Sequence, residues 1–276
     1  MNTPHKPLVT ACLALVAWLS FFAGPSSAAG PFPYELDAGT DAAVVFGTGV
    51  VYGLTWWLDR DFRPFTQEEA RGMDRSGIPA LDRYASRRWS PSLARTSDVL
   101  YTGQMVLPLA LIAGDSGSRR PWPLAVMHLE TVLLTRGVTH VFKNAFDRTR
   151  PFVFNEDAAV PLEMKTSHMA RKSFPSGHTS HAFATMVYLG TVFGELHPDS
   201  PHRDLVWGLC LGTATATGAL RVASGRHFPS DVVAGAALGA LVGWAIPRWH
   251  EIDHDGSDPA ASKSRPSFSI GWSVGF

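Results

Sequence analysis

Cysteine is nearly missing from this 276-residue chain. Cys12 and Cys210 are the only two, so neither a disulfide framework nor a thiolate metal site can be built from them. Charge is scarce as well: 17% of residues are Asp, Glu, Lys or Arg, and 24 bases cancel 24 acids. A neutral chain of this kind lacks the field that would hold nucleic acid or another bulk polyanion. Long apolar runs are few: 45% of residues are hydrophobic, yet mean hydropathy is only +0.02. Many runs fall short of the roughly 20 residues that cross a bilayer. Strand-type alternation is confined to Phe268, Ile270, Trp272, Val274 and Phe276, far too little for a barrel. It reads as a terminal strand or an exposed tail. No internal repeat stands out.

What is present begins with an export signal. Lys6 precedes the apolar run Leu8 to Ala23, and small residues Ser26 to Ala29 follow, as in a secretory signal over 1–29. Cys12 stands before most of the apolar run instead of after it, so lipidation is not expected. A helical domain over 30–250 and a polar tail over 251–276 complete the organisation. The expected home is the bacterial cell envelope, either membrane-associated or periplasmic.

Apolar periodicity predicts six helices, roughly 41–58, 98–114, 122–142, 178–195, 204–222 and 230–247. The polar stretch 60–97 holds eight arginines against five acids. Within it, Ala80 to Arg88 reads as a short surface helix stopped by Pro91. Residues 151–174 form a long loop of the length that usually carries function, here a substrate gate. Glycines four apart (Gly235, Gly239 and Gly243; Gly208 and Gly212; Gly49 and Gly53) suit close helix contacts. Trp56, Trp57, Trp122, Trp207 and Trp244 fall near helix ends, as in an interfacial belt. Against immersion, the 122–142 helix carries His128, Glu130, Arg136 and His140. Three true spans after an exported N-terminus would also put Lys143 on the cytoplasmic side, the wrong face for an exported hydrolase. A membrane-associated helical bundle is the expectation that reconciles these signals.

Three short strings carry the chemistry: Lys143 with Arg150-Pro151, Pro175-Ser176-Gly177-His178, and Arg221 with His227 and Asp231. Singly, each has an ordinary structural reading. Lys143 and Arg150 suit the C-terminal end of a helix, Ser176 suits an N-cap, and His227 with Asp231 could be a structural pair beside Pro229. Jointly they supply three cations, a helix-opening Ser-Gly turn and two histidines, an inventory suited to a tetrahedral oxyanion. Arginine's fork can pair two oxygens at once, and lysine adds a mobile point charge. A helix start at Ser176 and Gly177 offers backbone N–H groups to an anion, and a side chain at 177 would obstruct that approach.

The spacings and order of these motifs resemble the signature of the type 2 phosphatidic acid phosphatase and haloperoxidase superfamily. The motifs lie within 143–231, and the likeness in helical layout extends over about 41–247. One departure is Leu220 before Arg221, where the family's pattern has serine; this puts one hydrogen bond in doubt. The resemblance implies an all-α, six-helix bundle and a metal-independent phosphatase acting on a phosphomonoester or diphosphate, with a phosphorylated lipid as the favoured substrate. Lys143, Arg150, Ser176, Gly177 and Arg221 would bind phosphate. His227 would be the nucleophile, oriented by Asp231, and His178 the general acid and base. No metal and no cofactor is expected. The resemblance leaves alternatives open: a vanadate-dependent haloperoxidase, a periplasmic phosphatase of soluble phosphomonoesters, or a scaffold that only binds anions. Asp147 and Arg148 read as loop-ordering. His181 tempts a metal assignment that three nearby cations oppose. His128 and His140 read as helix-packing residues, and His197, His202, His250 and His254 as loop residues. Oligomeric state is not legible.

Overall fold

A computed structural model describes residues 32–59, 63–114 and 121–252. The export signal and nearly all of the C-terminal tail lie outside the described residues. In chain order the α-helices are α1 (Ala38–Leu58), α2 (Gln67–Arg71), α3 (Ala80–Arg83), α4 (Pro91–Val106), α5 (Pro108–Gly114), α6 (Pro121–Phe146), α7 (Leu162–Lys165), α8 (Gly177–Leu196), α9 (Arg203–Ala223) and α10 (Pro229–His250). Six of these are long, α1, α4, α6, α8, α9 and α10, and they form the expected all-α bundle. The only β pairing among the described residues is a bridge between Tyr34 and Glu251.

Helix starts follow local chemistry. Asp37 accepts the Thr40 N–H at 2.8 Å and opens α1. Ser90 accepts the Leu93 N–H and opens α4, with Pro91 in its first turn. Pro91 was expected to stop a helix; it begins one, because a fixed φ and a missing N–H cost nothing at that position. The predicted 98–114 helix therefore starts seven residues earlier and is interrupted where α4 gives way to α5 at Pro108. The Ala80 to Arg88 segment is α3 followed by a 3-10 turn over Ala85–Arg87. It lies at the surface, with Leu81 and Tyr84 exposed, while its inner side buries Asp82, Ala85 and Ser86.

Helix α8 is the axis of the bundle. Met186, Leu189 and Phe193 pack with Val206, Cys210 and Ala214 of α9 and with Leu107. Tyr188 and Val192 face Leu124 and Met127 of α6 and Val242 and Ile246 of α10. The glycine spacings resolve into two outcomes. A Cβ on Gly235, Gly239 or Gly243 would lie 2.7, 2.0 and 2.2 Å from the carbonyl oxygens of Ser176, Ser180 and Ala184. Helix α10 thus lies backbone to backbone on α8. By contrast, Gly49, Gly53, Gly208 and Gly212 have nothing within 4 Å of such a Cβ, so these four do not mediate helix contacts. Gly239→Ala should cost at least about 2 kcal/mol through overpacking against fixed backbone. Gly212→Ala should be neutral or stabilising by up to about 1 kcal/mol. Thermal unfolding of the two variants checks the contrast.

The exposed faces are unusually apolar. Phe46, Val50 and Leu54 of α1 are 74%, 62% and 55% exposed and form one stripe at four-residue spacing, which Trp57 extends. Trp122, Val233, Leu241, Trp244 and Trp249 are exposed as well. Trp207, expected in an interfacial belt, instead lays its ring over Gly190, where an added Cβ would meet it at 2.9 Å. Helices α9 and α10 are long and apolar enough to cross a membrane.

Two polar segments close one end of the bundle. The 151–174 loop is ordered: its Phe152, Val153, Val160, Met164 and Ala170 form a small core with Phe65, Met73 and Trp89 from the arginine-rich segment. Gly225 turns the chain from α9 toward α10 at φ +73°, and a Cβ there would stand 1.9 Å from the Arg88 carbonyl oxygen. Only glycine satisfies both conditions. That turn presents Arg226 and His227 beneath the two segments.

Candidate active site

The predicted residues converge at this closed end, where α6 and α9 finish and α8 and α10 begin. Lys143 lies in the last turn of α6, Arg221 in the last turn of α9, Asp231 in the first turn of α10, and Gly177 and His178 open α8. Lys143, Arg150, Arg221, His227, Asp231 and Ser176 are all buried. Lys143 Nζ donates to the Lys172 and Pro175 carbonyls at 3.0 and 2.8 Å. Arg150 reaches the same Lys172 carbonyl at 3.2 Å. Arg221 donates to Ser97 Oγ at 3.0 Å and to Asp98 Oδ1 at 2.9 Å. The carbonyls of the segment preceding α8 therefore hold two of the cations in place.

Three polar atoms of this group are left over. Arg150 Nε, Arg221 Nε and His227 Nδ1 are buried with no hydrogen-bond partner among the described residues. Buried polar groups are normally satisfied, and exceptions mark an unmet partner. The electrostatics agree. Burial, and then Arg150, holds Lys143 well below the ordinary lysine range. Burial, and then Arg221, pushes Arg150 down to about 9. Burial, reinforced by Arg150, Lys143 and Arg221, holds His227 well below the usual imidazole range. Cations crowded into a low-dielectric site repel one another, and an anion placed between them would relieve all of them.

Ser176 departs from its expected capping role. Its hydroxyl hydrogen-bonds Thr179 Oγ1 at 2.9 Å and makes no side-chain cap bond. Its N–H donates to the Asp231 carbonyl at 3.0 Å, which ties the openings of α8 and α10 together. A Cβ on Gly177 would sit 3.7 Å from Lys143 Cε, an ordinary contact, so protein packing alone does not demand glycine there.

Asp231 is held by several donors. Phe228 N–H donates to Oδ2 at 2.9 Å and Ser173 Oγ at 2.5 Å. Arg148 donates to Oδ1 at 2.5 Å. His227 Nδ1 stands 3.5 Å from Oδ2. Arg148 also pairs with Asp82 at 2.7 Å and lies over the Phe228 ring. Asp82 in turn accepts from Ser230 N–H at 3.0 Å and Ser230 Oγ at 2.6 Å. Arg148 thus orders more than its own loop: it clamps the carboxylate beside His227. Asp147 pairs with Arg171, whose Nε donates at 2.8 Å.

Asp98 was missed by the sequence reading. Its Oδ1 stands 3.0 Å from His178 Nε2 and 2.9 Å from Arg221. The hydrogen bond from His178 is the main cause that lowers the Asp98 carboxyl below its ordinary range. His178 is lowered by burial, with Asp98 opposing that shift, and its ring leans on Tyr101 at 4.6 Å. The available signal was an acid placed among apolar residues at the predicted start of a helix. His181, by contrast, turns away, its Nδ1–H donating to the Gly177 carbonyl at 2.8 Å. His128 packs as expected, 3.0 Å from the Met105 carbonyl, and His140 packs edge-on against Tyr52.

Several known proteins resemble this chain. A lipid A 1-phosphatase of Rhizobium johnstonii is 32% identical over 110 residues, 40% of this chain and 41% of that one. A non-specific acid phosphatase of Salmonella typhimurium is 36% identical over 113 residues, 40% of this chain and 41% of that one. The chain thus spans less than half the length of these curated relatives. A crystal structure of a transmembrane PAP2 type phosphatidylglycerolphosphate phosphatase from Bacillus subtilis aligns over 76% of this chain and 94% of that one, at a TM-score of 0.46 and 22% identity. Residues 124–254 match the PAP2 superfamily, and that stretch holds all three motifs in order.

Proposed function

We propose that the chain is a metal-independent phosphatase of a lipid phosphate, working through a phosphohistidine in the bacterial cell envelope. The observation that carries this reading is the buried group of Lys143, Arg150 and Arg221 beside two imidazoles, with Arg150 Nε and Arg221 Nε left without a partner among the described residues. A phosphoryl group would match those cations in charge and offer acceptors to both guanidinium groups. Anion binding alone would need only the cations.

The chemistry follows from the placement. The three cations, with the Gly177 and His178 N–H groups at the start of α8, hold the equatorial oxygens and stabilise the charge that grows on them. His227 attacks phosphorus through its outer nitrogen while the bond from phosphorus to the leaving oxygen breaks. Asp231 lies on the Nδ1 side, where it favours the tautomer with the attacking lone pair outward and balances the charge of the phosphorylated ring. His178 gives its Nε2 proton to the leaving oxygen, then removes one from the water that cleaves the nitrogen–phosphorus bond. Inorganic phosphate and the resting His227 are regenerated.

The lipid assignment rests on the exposed apolar stripe of α1 and the exposed tryptophans of α6 and α10, surfaces suited to a membrane. The name of the Rhizobium johnstonii relative, a lipid A 1-phosphatase, supports the same reading. The test is phosphate release over a panel of lipid monophosphates, lipid diphosphates and soluble monoesters, with EDTA present or absent. Initial rates at 25 °C should be at least tenfold higher on a lipid substrate and change less than twofold with EDTA. Release from soluble esters only would overturn the lipid assignment. Loss in EDTA restored within the assay by zinc would overturn the metal-free mechanism.

A further inference from the structure

At the opposite end of the bundle lies a second cluster that the phosphatase chemistry does not use. Asp41 is in the first turn of α1, Glu130 in α6, and His250 is the last residue of α10. The sequence suggested a loop position for His250; it is helical and buried, because α10 continues through Pro247. All three side chains are buried, Glu130 completely. By helix rise, His250 stands roughly 28 Å along α10 from Asp231, and Glu130 roughly 20 Å along α6 from Lys143. The cluster is therefore remote from the phosphate cradle.

Its geometry is that of a ligand set. His250 Nε2 is 3.1 Å from Asp41 Oδ1 and 3.3 Å from Glu130 Oε2. One ligand atom from each residue lies within 4.8 Å of the others. Ligands about 2.1 Å from a tetrahedral ion stand about 3.4 Å apart, close to the two shortest separations. The other ring nitrogen, Nδ1, is engaged by the Ile246 carbonyl at 2.9 Å. That carbonyl can accept only from an N–H, so in the neutral ring the lone pair is on Nε2 and aims at two carboxylates. Backbone engagement of the second nitrogen is also how metal-bound histidines are commonly oriented.

The charge balance points to an absent cation. Among the described residues, His250 is the sole base within ion-pair distance of either carboxylate. Both Glu130 oxygens are buried without a hydrogen-bond partner. Two buried carboxylates facing one imidazole leave negative charge uncompensated even when the ring is protonated, and such charge is costly in an apolar interior. One imidazole nitrogen and two carboxylates suit zinc or manganese better than calcium, which takes six or more oxygens.

We propose that Asp41, Glu130 and His250 form a structural divalent-cation site of the zinc or manganese type. It clasps the first long helix and the last onto α6, beside the point where Glu35 N–H bonds the His250 carbonyl. This departs from the expectation of no metal, which was drawn from the active-site residues alone. The site plays no part in the phosphoryl chemistry, so either proposal can fail without the other.

The test uses the purified full chain. After dialysis against metal-free buffer and titration with zinc or manganese, elemental analysis should show about one ion per chain. A hundredfold excess over Kd should raise Tm by about 5–10 °C, and EDTA should reverse the rise without changing the initial phosphatase rate at 25 °C. Glu130→Gln should lose the bound ion, while His178→Ala should keep it. If Glu130→Gln fails to fold, the stoichiometry and Tm response of the unaltered chain, with the His178→Ala control, still decide the matter. Sub-stoichiometric metal with an unmoved Tm would overturn the proposal and leave a proton as the cluster's counter-ion. An ion lost in His178→Ala would overturn it by placing the metal at the phosphate cradle.

Discussion

Substituting alanine for His227 should lower phosphate release by at least about 10⁴-fold, the scale seen when a nucleophile that acts as part of a unit is removed. The remaining activity would come from the cationic cradle, which can still bind the substrate and stabilise charge in a slow direct attack by water. The size of the effect separates a nucleophile from a bystander: loss of a phosphate hydrogen bond alone would cost roughly 10²–10³-fold. Misfolding is a weak alternative explanation, because Nδ1 of the buried ring makes no hydrogen bond among the described residues, and Asp231 Oδ2 keeps its bonds from Ser173 and Phe228. Circular dichroism and Tm should stay close to those of the parent. Mixing the parent with substrate and quenching in alkali should trap phosphate on His227, and the variant should trap none. Activity within tenfold of the parent would end the assignment.

The same environment fixes a pH expectation. Burial and the Arg150, Lys143 and Arg221 charges hold the His227 imidazole well below its ordinary range, so the neutral ring is favoured in the free enzyme. Protonated nucleophile would accumulate only at lower pH. Hence kcat/KM should show no acidic limb near 6.5, the ordinary imidazole value. A limb there that disappears in a His178 variant would belong to His178 instead.

The residues of the proposed site were legible in the sequence because the parts of each motif are local. A lysine seven residues before an arginine, or a histidine four before an aspartate, is written into one helix end or one turn, and spacing exposes it. The groups that hold those parts in place came from elsewhere. Asp98 reaches His178 and Arg221 from α4, and Asp82 reaches Ser230 and Arg148 across 148 and 66 residues of chain. No spacing rule connects such pairs; only packing does. Glycine spacing shows the same limit from the other side. Gly235, Gly239 and Gly243 touch backbone while Gly49, Gly53, Gly208 and Gly212 touch nothing, and the strings themselves do not differ in kind. Pro91 was misread because a proline that ends one helix and a proline that opens the next look alike without the preceding Ser90 cap. His250 was assigned to a loop because the predicted helix ended at 247, whereas α10 runs on to His250.

Replacing His178 by alanine should reduce turnover by about 10²–10⁴-fold on alkyl and lipid phosphates, and by much less, about tenfold, on aryl phosphates. An alkoxide is a poor leaving group and needs a proton as the bond to phosphorus breaks; a nitrophenolate departs without one. Equal losses on both classes would contradict the acid role and reduce His178 to a phosphate donor. Asp98 sharpens the argument. In the empty site the His178 Nε2 atom is spent on the Asp98 carboxylate at 3.0 Å, on the side from which Arg221 also approaches. A leaving oxygen must take over that hydrogen bond, and the negative charge of Asp98 keeps the ring able to hold the proton it will give. Asp98→Asn retains shape and removes charge, so it should mimic the His178 variant in kind: a selective loss on alkyl substrates, with aryl turnover spared. If aryl and alkyl rates fell together in Asp98→Asn, the carboxylate would be acting on Arg221 and the binding of phosphate, and His178 would work without it.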